Sequence, residues 1–438
     1  MDYKYKISLI IPCYNSEVLL SETLDNLRGQ TLKDIQLIII NDGSTDSTAD
    51  IIAGYAAKHS NILCVEQKNA GVAAARNNGL NYVEGKYTMF ADSDDLMSDD
   101  ALEQLYNALE ESGADVAICR AEYFGYGGRK LHPQACQLAT KKNIDVFDRL
   151  IIWNFMVSNK CYRSDFLKAS GVTFPLKRYA EDGAFCMQIF YQGAKLIGVE
   201  NATMYYRRRK PKEGFSVTQT INYNLVEDMF DCIGIVADAA RKAFDRPDCT
   251  CEDKEGYLQE LYRKAYSAFV LQFYPLIWSA DEKTMALMKE RFEGLEAKMT
   301  PEALKIMEPT QKHLNGIMLS KKQMAENPYI TVIAKNPTKE FVNSLYAQSM
   351  PHFELITTDN LGFEHENIVV LPEKGFAKAA KKAAKGKLVI KLSGKKPITD
   401  IRLFKVMVLL KKGRKFHFFP SPIIHLGAKI LLKLRSPK

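Results

Sequence analysis

The sequence predicts an α/β protein whose first 220 residues form a domain on a mostly parallel sheet. Two observations carry that prediction. Short apolar, β-branched runs alternate with helical patterns in the order βαβαβαβ, and each run stops at a polar or proline-containing turn. Ile7-Ser8-Leu9-Ile10-Ile11, stopped by Pro12, reads as a strand buried on both faces. Ser16 to Arg28 carries apolar residues at 18, 19, 20, 24 and 27, an amphipathic helix. Ile35 to Ile40 is the second strand; it ends at Asn41-Asp42-Gly43-Ser44, a turn and the N-cap of a helix to about Lys58. Ile62-Leu63-Cys64-Val65 is the third strand, followed by an Ala-rich helix from Asn69 to Gly79. The fourth strand, Lys86 to Ala91, leads into Asp92-Ser93-Asp94. Such sheets bind ligands beyond the carboxyl ends of their strands. Pro12-Cys13-Tyr14-Asn15, Asn41-Asp42 and Asp92-Ser93-Asp94 are therefore expected at one edge.

Asp92-Ser93-Asp94, with Asp95 after it, is the most informative of these clusters. Two carboxylates one residue apart make a hard-oxygen site for Mg²⁺ or Mn²⁺, completed by waters and the oxygens of a diphosphate. The same letters also suit a plain strand-to-loop turn.

Ser8-Leu9-Ile10-Ile11-Pro12-Cys13-Tyr14-Asn15, Asn41-Asp42-Gly43-Ser44-Thr45-Asp46, Asn69-Ala70-Gly71 with Ala75-Arg76-Asn77, and Asp92-Ser93-Asp94-Asp95 resemble, in order and spacing, the signatures of family 2 glycosyltransferases. The resemblance reaches to about residue 220. It implies a GT-A nucleotide-diphospho-sugar fold and an inverting transfer from a UDP-sugar. Pro12, Tyr14, Asn15 and Glu17 would line the nucleoside pocket, with Tyr14 beside the base. Asp42 would accept from the uracil imide N–H. Gly71 would let backbone approach the nucleotide, with Asn69 in the same binding site, and Arg76 would neutralise phosphate or hold the acidic cluster. Asp92 would contact ribose or metal, Ser93 would belong to the same nucleotide-sugar site, and Asp94 would bind the cofactor, Mn²⁺ or Mg²⁺.

Transfer also needs a base for the acceptor hydroxyl. Arg178-Tyr179-Ala180-Glu181-Asp182-Gly183 stands at the mouth of a helix expected over Ala184 to Tyr191, and resembles the Glu-Asp motif of bacterial members. That likeness makes Asp182 the base and Glu181 its neighbour; an acidic first helical turn is the plainer alternative. Trp153-Asn154 and Val157-Ser158-Asn159-Lys160-Cys161-Tyr162-Arg163 resemble the segment that precedes the motif. Tyr205-Tyr206-Arg207-Arg208-Arg209 with Ser216 resembles the one that closes the domain. Asn159, Lys160 and Arg207 become acceptor or lid candidates.

The whole chain has 438 residues, 46% of them hydrophobic and 26% charged, as in globular proteins. No apolar stretch reaches the ~20 residues of a membrane span, and residues 1–6 show no signal-peptide pattern. Nine scattered cysteines without a CxxC pair suit reduced thiols in a cytosol. Net charge is +8, but from residue 370 onward 19 Lys/Arg face 2 Asp/Glu, while the remainder holds 41 against 50. The mixed basic and apolar tail, Phe404 to Lys438, suits an anionic membrane surface or a polyanionic acceptor. Nucleic acid is not expected, since no recognition motif occurs.

Residues 221–327 read as helices, with Leu258, Leu261, Tyr262, Ala265, Phe269 and Phe273 at helical spacing. Residues 328–438 read as a degenerate α/β repeat of the first domain. Ile330 to Ile333 parallels Ile7 to Ile10, Glu354 to Asn360 parallels Gln36 to Asp42, and Gly386-Lys387-Leu388 parallels Gly85-Lys86-Tyr87. Ser393-Gly394-Lys395 then falls where Asp92-Ser93-Asp94 stands, which removes the cation chemistry. The sequence thus points to a hexosyl- or N-acetylhexosaminyltransferase. Its partners would be a UDP-sugar and a glycan, teichoic-acid or lipid-linked saccharide acceptor, met in the cytoplasm or at the inner membrane face. A non-catalytic carbohydrate- or partner-binding relative is the rival reading.

Overall fold

In the computed structural model the described residues are 3–125, 128–152, 156–208, 221–273, 280–308, 311, 330–337, 353–358, 368–371, 376–383 and 388–392. The first seven elements follow the expected alternation. They are β1 (Tyr5–Cys13), α1 (Leu20–Arg28), β2 (Ile35–Asp42), α2 (Thr48–Ala56), β3 (Ile62–Gln67), α3 (Val72–Leu80) and β4 (Gly85–Phe90). Helix α1 begins later than its amphipathic pattern because the Ser16 carbonyl accepts the amides of Leu19 and Leu20 in a turn (3.2 and 3.0 Å). Gly71 lies at φ 91°, ψ 163°, a conformation open essentially to glycine, just before α3.

There follow β5 (Leu96–Met97), α4 (Ala101–Ser112), β6 (Val116–Gly125), β7 (Lys130–Leu131), α5 (Pro133–Ala139), β8 (Lys160–Arg163), α6 (Ser164–Ser170), α7 (Glu181–Phe190) and β9 (Leu196–Arg208). The sheet order is β3-β2-β1-β4-β8-β6-β9-β5, with β7 beside β6. From β3 to β4 every pairing is parallel. Strand β8 is antiparallel to both its neighbours, whereas β6 and β9 run parallel across a bulge at Cys119/Arg120. One face packs Ile7, Leu9 and Ile11 against Leu20, Leu24 and Leu27 of α1 and Leu102, Leu105 and Leu109 of α4. Against Phe90 of β4, Phe174 and Phe185 pack edge-on while stacking on each other at 3.9 Å. Helices α8 (Tyr223–Phe244), α9 (Lys254–Phe273) and α10 (Glu282–Glu296) come next. Among the described residues no helix is long and apolar enough to cross a membrane.

The chain divides into two compact units. The described residues of one fall within Met1–Thr218, Tyr223–Tyr266 and Glu290–Ala303. Those of the other fall within Gln219–Asn222, Ser267–Lys289 and Leu304–Lys438. The second contains β10 (Ile330–Ala334), β11 (Phe353–Thr357), β12 (Ile368–Val370), α11 (Phe376–Ala383) and β13 (Leu388–Leu392). Its sheet, β12-β11-β10-β13, is all parallel and repeats the order β3-β2-β1-β4. The register repeats as well. Ile7 faces Ile35 and Tyr87, and its counterpart Ile330 faces Phe353 and Leu388. Leu37 faces Ile62, and Leu355 faces Ile368. Ile333, Ile356 and Ala380 form its small core. Trp153-Asn154, Arg209, Ser216, Lys374, Gly386, Ser393 to Lys395 and the tail from Phe404 lie outside the described residues.

Candidate active site

The loops after β1 and β2 are laced together at the carboxyl edge. Asn15, in the left-handed region at φ 49°, donates its N–H to Ser44 Oγ at 3.0 Å and accepts the Thr45 N–H on Oδ1 at 2.8 Å. Ser16 N–H reaches Thr48 Oγ1 at 2.7 Å, and Glu17 accepts the Ser47 N–H at 3.0 Å. Pro12 is buried at the end of β1, while Tyr14 stands 52% exposed above the laced loops. Asp42 is 3% exposed and braces the next loop: Oδ1 accepts from Ala70 N–H (2.8 Å) and Gln67 Nε2 (2.7 Å), and Oδ2 from Gly71 N–H (2.9 Å). Asn69 at the head of that loop is exposed.

After β4 the acidic run divides its tasks. Ser93 turns inward to Ser16 Oγ (2.8 Å), and its carbonyl accepts from Thr23 Oγ1 (3.1 Å). Asp95 is buried and accepts the Arg207 N–H at 2.8 Å; burial, then the charges of Asp92 and Asp94, raise its pKa well above the usual carboxylate range. Asp94 is partly exposed and gives its carbonyl to Arg207 Nε at 2.9 Å. Arg207 also pairs with Glu22 at 2.7 Å and lies over the Phe124 ring at 4.5 Å, so it braces the acidic turn. Among the described residues no group of three or more His, Cys, Asp or Glu gathers as a metal cage. One or two carboxylates at a strand end still fit Mg²⁺, or Mn²⁺, which keeps waters and takes substrate phosphate oxygens for its remaining positions.

Arg76 joins this turn to α7. Its guanidinium donates to Asp92 Oδ1 at 2.9 Å and to Glu181 Oε1 at 3.0 Å, and the Arg76 side chain is 5% exposed. Glu181 and Asp182 lie in the first turn of α7, which begins three residues before the expected helix start. Ala180 before them adopts φ 61°, unusual for a residue with a side chain. Burial raises both carboxyls; the Asp182 charge adds to the rise at Glu181, while Arg76 opposes it at both, leaving Asp182 pushed up to about 6. Asp182 accepts the Gly183 N–H at 2.7 Å and remains partly accessible. Asn159 and Lys160 are wholly buried: Asn159 donates to the Cys119 carbonyl at 2.8 Å, and Lys160 to Asn159 Oδ1 at 3.0 Å and to the Met156 carbonyl. They brace β8 from within.

Three supports escape a reading of the sequence. Asn77 clasps Phe174 through both backbone groups, at 2.9 and 2.8 Å. Asp228 on α8 accepts the Arg178 N–H at 2.9 Å. Ala180 holds its left-handed turn. The alternation of Leu225-Val226 and Met229-Phe230 with Glu227-Asp228 and Asp231 marks an ordinary amphipathic helix, and nothing in it points to a contact 50 residues back.

The family model described as "Glycosyl transferase family 2" matches residues 8–171. Residues 8–171 are a family 2 glycosyltransferase domain. Their fold is the expected GT-A-type α/β architecture, followed by helices and a second α/β sheet. Its similarity to the poly(ribitol-phosphate) beta-glucosyltransferase of Bacillus spizizenii is 32% identity over 236 residues, covering 53% of this chain and 37% of that protein. The cholesterol galactosyltransferase of Borreliella burgdorferi is 28% identical over 306 residues, 64% of this chain and 79% of its own. The crystal structure of Staphylococcus aureus TarS 1–349 in complex with UDP-GlcNAc superposes with a TM-score of 0.54 at 20% identity, covering 68% of this chain and 82% of that one. The match to the Bacillus protein thus spans little more than a third of that protein's length. Both Glu181 and Asp182 fall beyond the stretch that the family model matches.

Proposed function

We propose that the protein is an inverting glycosyltransferase moving a hexose or N-acetylhexosamine from a UDP-sugar to a hydroxyl of a cell-envelope glycan. The observation that carries this reading is the buried Arg76 bridge, which ties the acids after β4 to the Glu181-Asp182 turn of α7. Tyr14 would pack on the base, and Asp42 would meet the uracil imide through the remaining lone pair of Oδ2. Gly71 would leave room for the nucleotide, and Asp92 would face ribose. Asp94, helped by Asp92, would hold Mn²⁺ or Mg²⁺, whose chemistry when bound is to neutralise charge on the departing diphosphate. Asp182 would take the acceptor proton as the acceptor oxygen bonds to the anomeric carbon and the bond to UDP breaks. Displacement from the opposite face inverts that carbon. Glu181, fixed by Arg76, would orient Asp182. The poly(ribitol-phosphate) specificity in the Bacillus relative's name and the UDP-GlcNAc bound to TarS support the choice of acceptor class and donor. The basic tail supports work at the inner face of an anionic membrane.

UDP release from a panel of UDP-sugars, with Mn²⁺ present, tests the reading. Asp182→Asn should keep UDP-sugar affinity within about twofold and lower transfer by about 10²–10⁴-fold. Wild-type turnover in that variant would remove Asp182 from the base role.

A further inference from the structure

The turn that carries Glu181 and Asp182 is held by a helix outside the stretch of residues 8–171. Asp228, Asp231 and Cys232 of α8 stand at i, i+3 and i+4, on one face of the helix. That face meets three consecutive residues just before the turn. Asp228 Oδ2 accepts the Arg178 N–H at 2.9 Å, and its Oδ1 pairs with Lys177 Nζ at 3.4 Å. Asp231 takes the same ammonium at 2.7 Å, and the Cys232 thiol donates to the Tyr179 carbonyl at 3.5 Å. Helix α8 is braced in turn by α10: Phe230 meets Phe292 edge-on at 5.1 Å, and Arg291 pairs with Asp231 at 3.8 Å.

The backbone that this clamp holds is strained. Ala180 takes φ 61°, and its carbonyl accepts the Ala184 N–H at 3.0 Å, so the residue in the left-handed region also opens α7. A residue with a Cβ stays in that region only where its surroundings fix it. Among the three α8 contacts, the Asp228 bond restrains the main chain most: a carboxylate on a residue 9% exposed accepts a backbone N–H, a charge-assisted bond, whereas a thiol is a weak donor. If Ala180 relaxed, Asp182 would swing with the turn, since its Oδ1 is bonded to the adjacent Gly183 N–H. We propose that Asp228 is a positioning residue, which fixes the Tyr179–Ala180 backbone and through it holds Asp182 where it can take the acceptor proton. This rests on the transferase reading above and carries its catalytic unit into α8.

Three full-chain variants test it. Asp228→Ala removes the acceptor for the Arg178 N–H; Asp228→Asn keeps an isosteric one; Lys177→Met cuts the ion pairs to α8 but leaves the backbone bond. Asp228→Ala should lower kcat for transfer by about 10- to 100-fold with UDP-sugar affinity within about twofold, as expected for a base displaced by an ångström. Asp228→Asn and Lys177→Met should keep kcat within about threefold, although Lys177→Met loses comparable melting temperature. Should the alanine variant fail to fold, Asp228→Ser, too short to reach the strap, takes its place. Hydrogen exchange at the amides of residues 181–184 gives a readout without turnover: Asp228→Ala should speed it by about tenfold or more, and Asp228→Asn should not. Wild-type kcat in Asp228→Ala, equal losses in the Ala and Asn variants, or equal exchange in Asp228→Ala and wild type would overturn the proposal. An absence of UDP release in the wild type counts against the transferase reading, while the exchange comparison still judges the clamp.

Discussion

Arg76 meets two carboxylates from distant parts of the chain, the half-exposed Asp92 and the buried Glu181. Removing it leaves Glu181 buried without a counter-charge, so Arg76→Met should destabilise the first unit by about 3 kcal/mol. A denaturant melt at neutral pH would show the loss, and it should shrink when pH is lowered and the acids become neutral. Asp182 titrates upward of its ordinary range, to about 6, chiefly because it is buried. A base must be ionised, so the acid limb of the transfer rate should fall near pH 6 instead of near 4. A pH–rate profile at saturating donor checks this. The same shift has a stability sign. A carboxyl that holds its proton more tightly when folded costs stability as pH rises from about 4 through 6. Asp182→Asn should therefore melt a few degrees higher than wild type at pH 8 while failing as a catalyst.

At the scale of elements, α3 does more than its nine residues suggest. Arg76 reaches α7, Asn77 clasps Phe174, and Gly79 lets the helix lie close on β1, where a Cβ would come within 2.4 Å of Ile10 Cγ2. Gly79→Ala should force α3 outward and cost about 1–3 kcal/mol by overpacking, despite the better helix propensity of alanine. A fall in both melting temperature and UDP-sugar affinity would be the signature, because the outward shift would carry the Asn69–Gly71 loop with it. The parallel strands and α3 were legible because β-branched runs and an Ala-rich helix speak through local preference. The beginnings of α1 and α7 were not: a Ser16 turn delays the first, and a left-handed Ala180 advances the second. The acids after β4 and in α7 stand out in the sequence through their family pattern. Their supports do not, since Asn77 and Asp228 act across 97 and 50 residues of chain. Burial also hid from the sequence that Asn159 and Lys160 face inward, and that Arg207 clamps the turn carrying Asp94.

At the scale of the whole chain, two sheets share one strand order and register but lead into different residues. Strand β4 leads into Asp92-Ser93-Asp94, whereas the register of β13 leads into Ser393-Gly394-Lys395 in the sequence. A single nucleotide and a single divalent ion per chain are therefore expected. Titration of UDP with Mn²⁺ should give a stoichiometry near one, and Asp94→Asn should abolish Mn²⁺-dependent UDP binding altogether. Chelation should stop UDP release and added Mn²⁺ restore it; residual Mn²⁺-dependent binding in Asp94→Asn would locate a second site.

In the second sheet the strand that comes first in the chain, Ile330–Ala334, sits in the interior of the order, flanked by strands made later. A ribosome must release Leu388–Leu392 before that strand gains its second neighbour. Any shortened version that discards the cationic tail must therefore end after Leu392. A stop codon only a few residues earlier would leave an unpaired apolar edge open to other chains, and insoluble protein would be its mark.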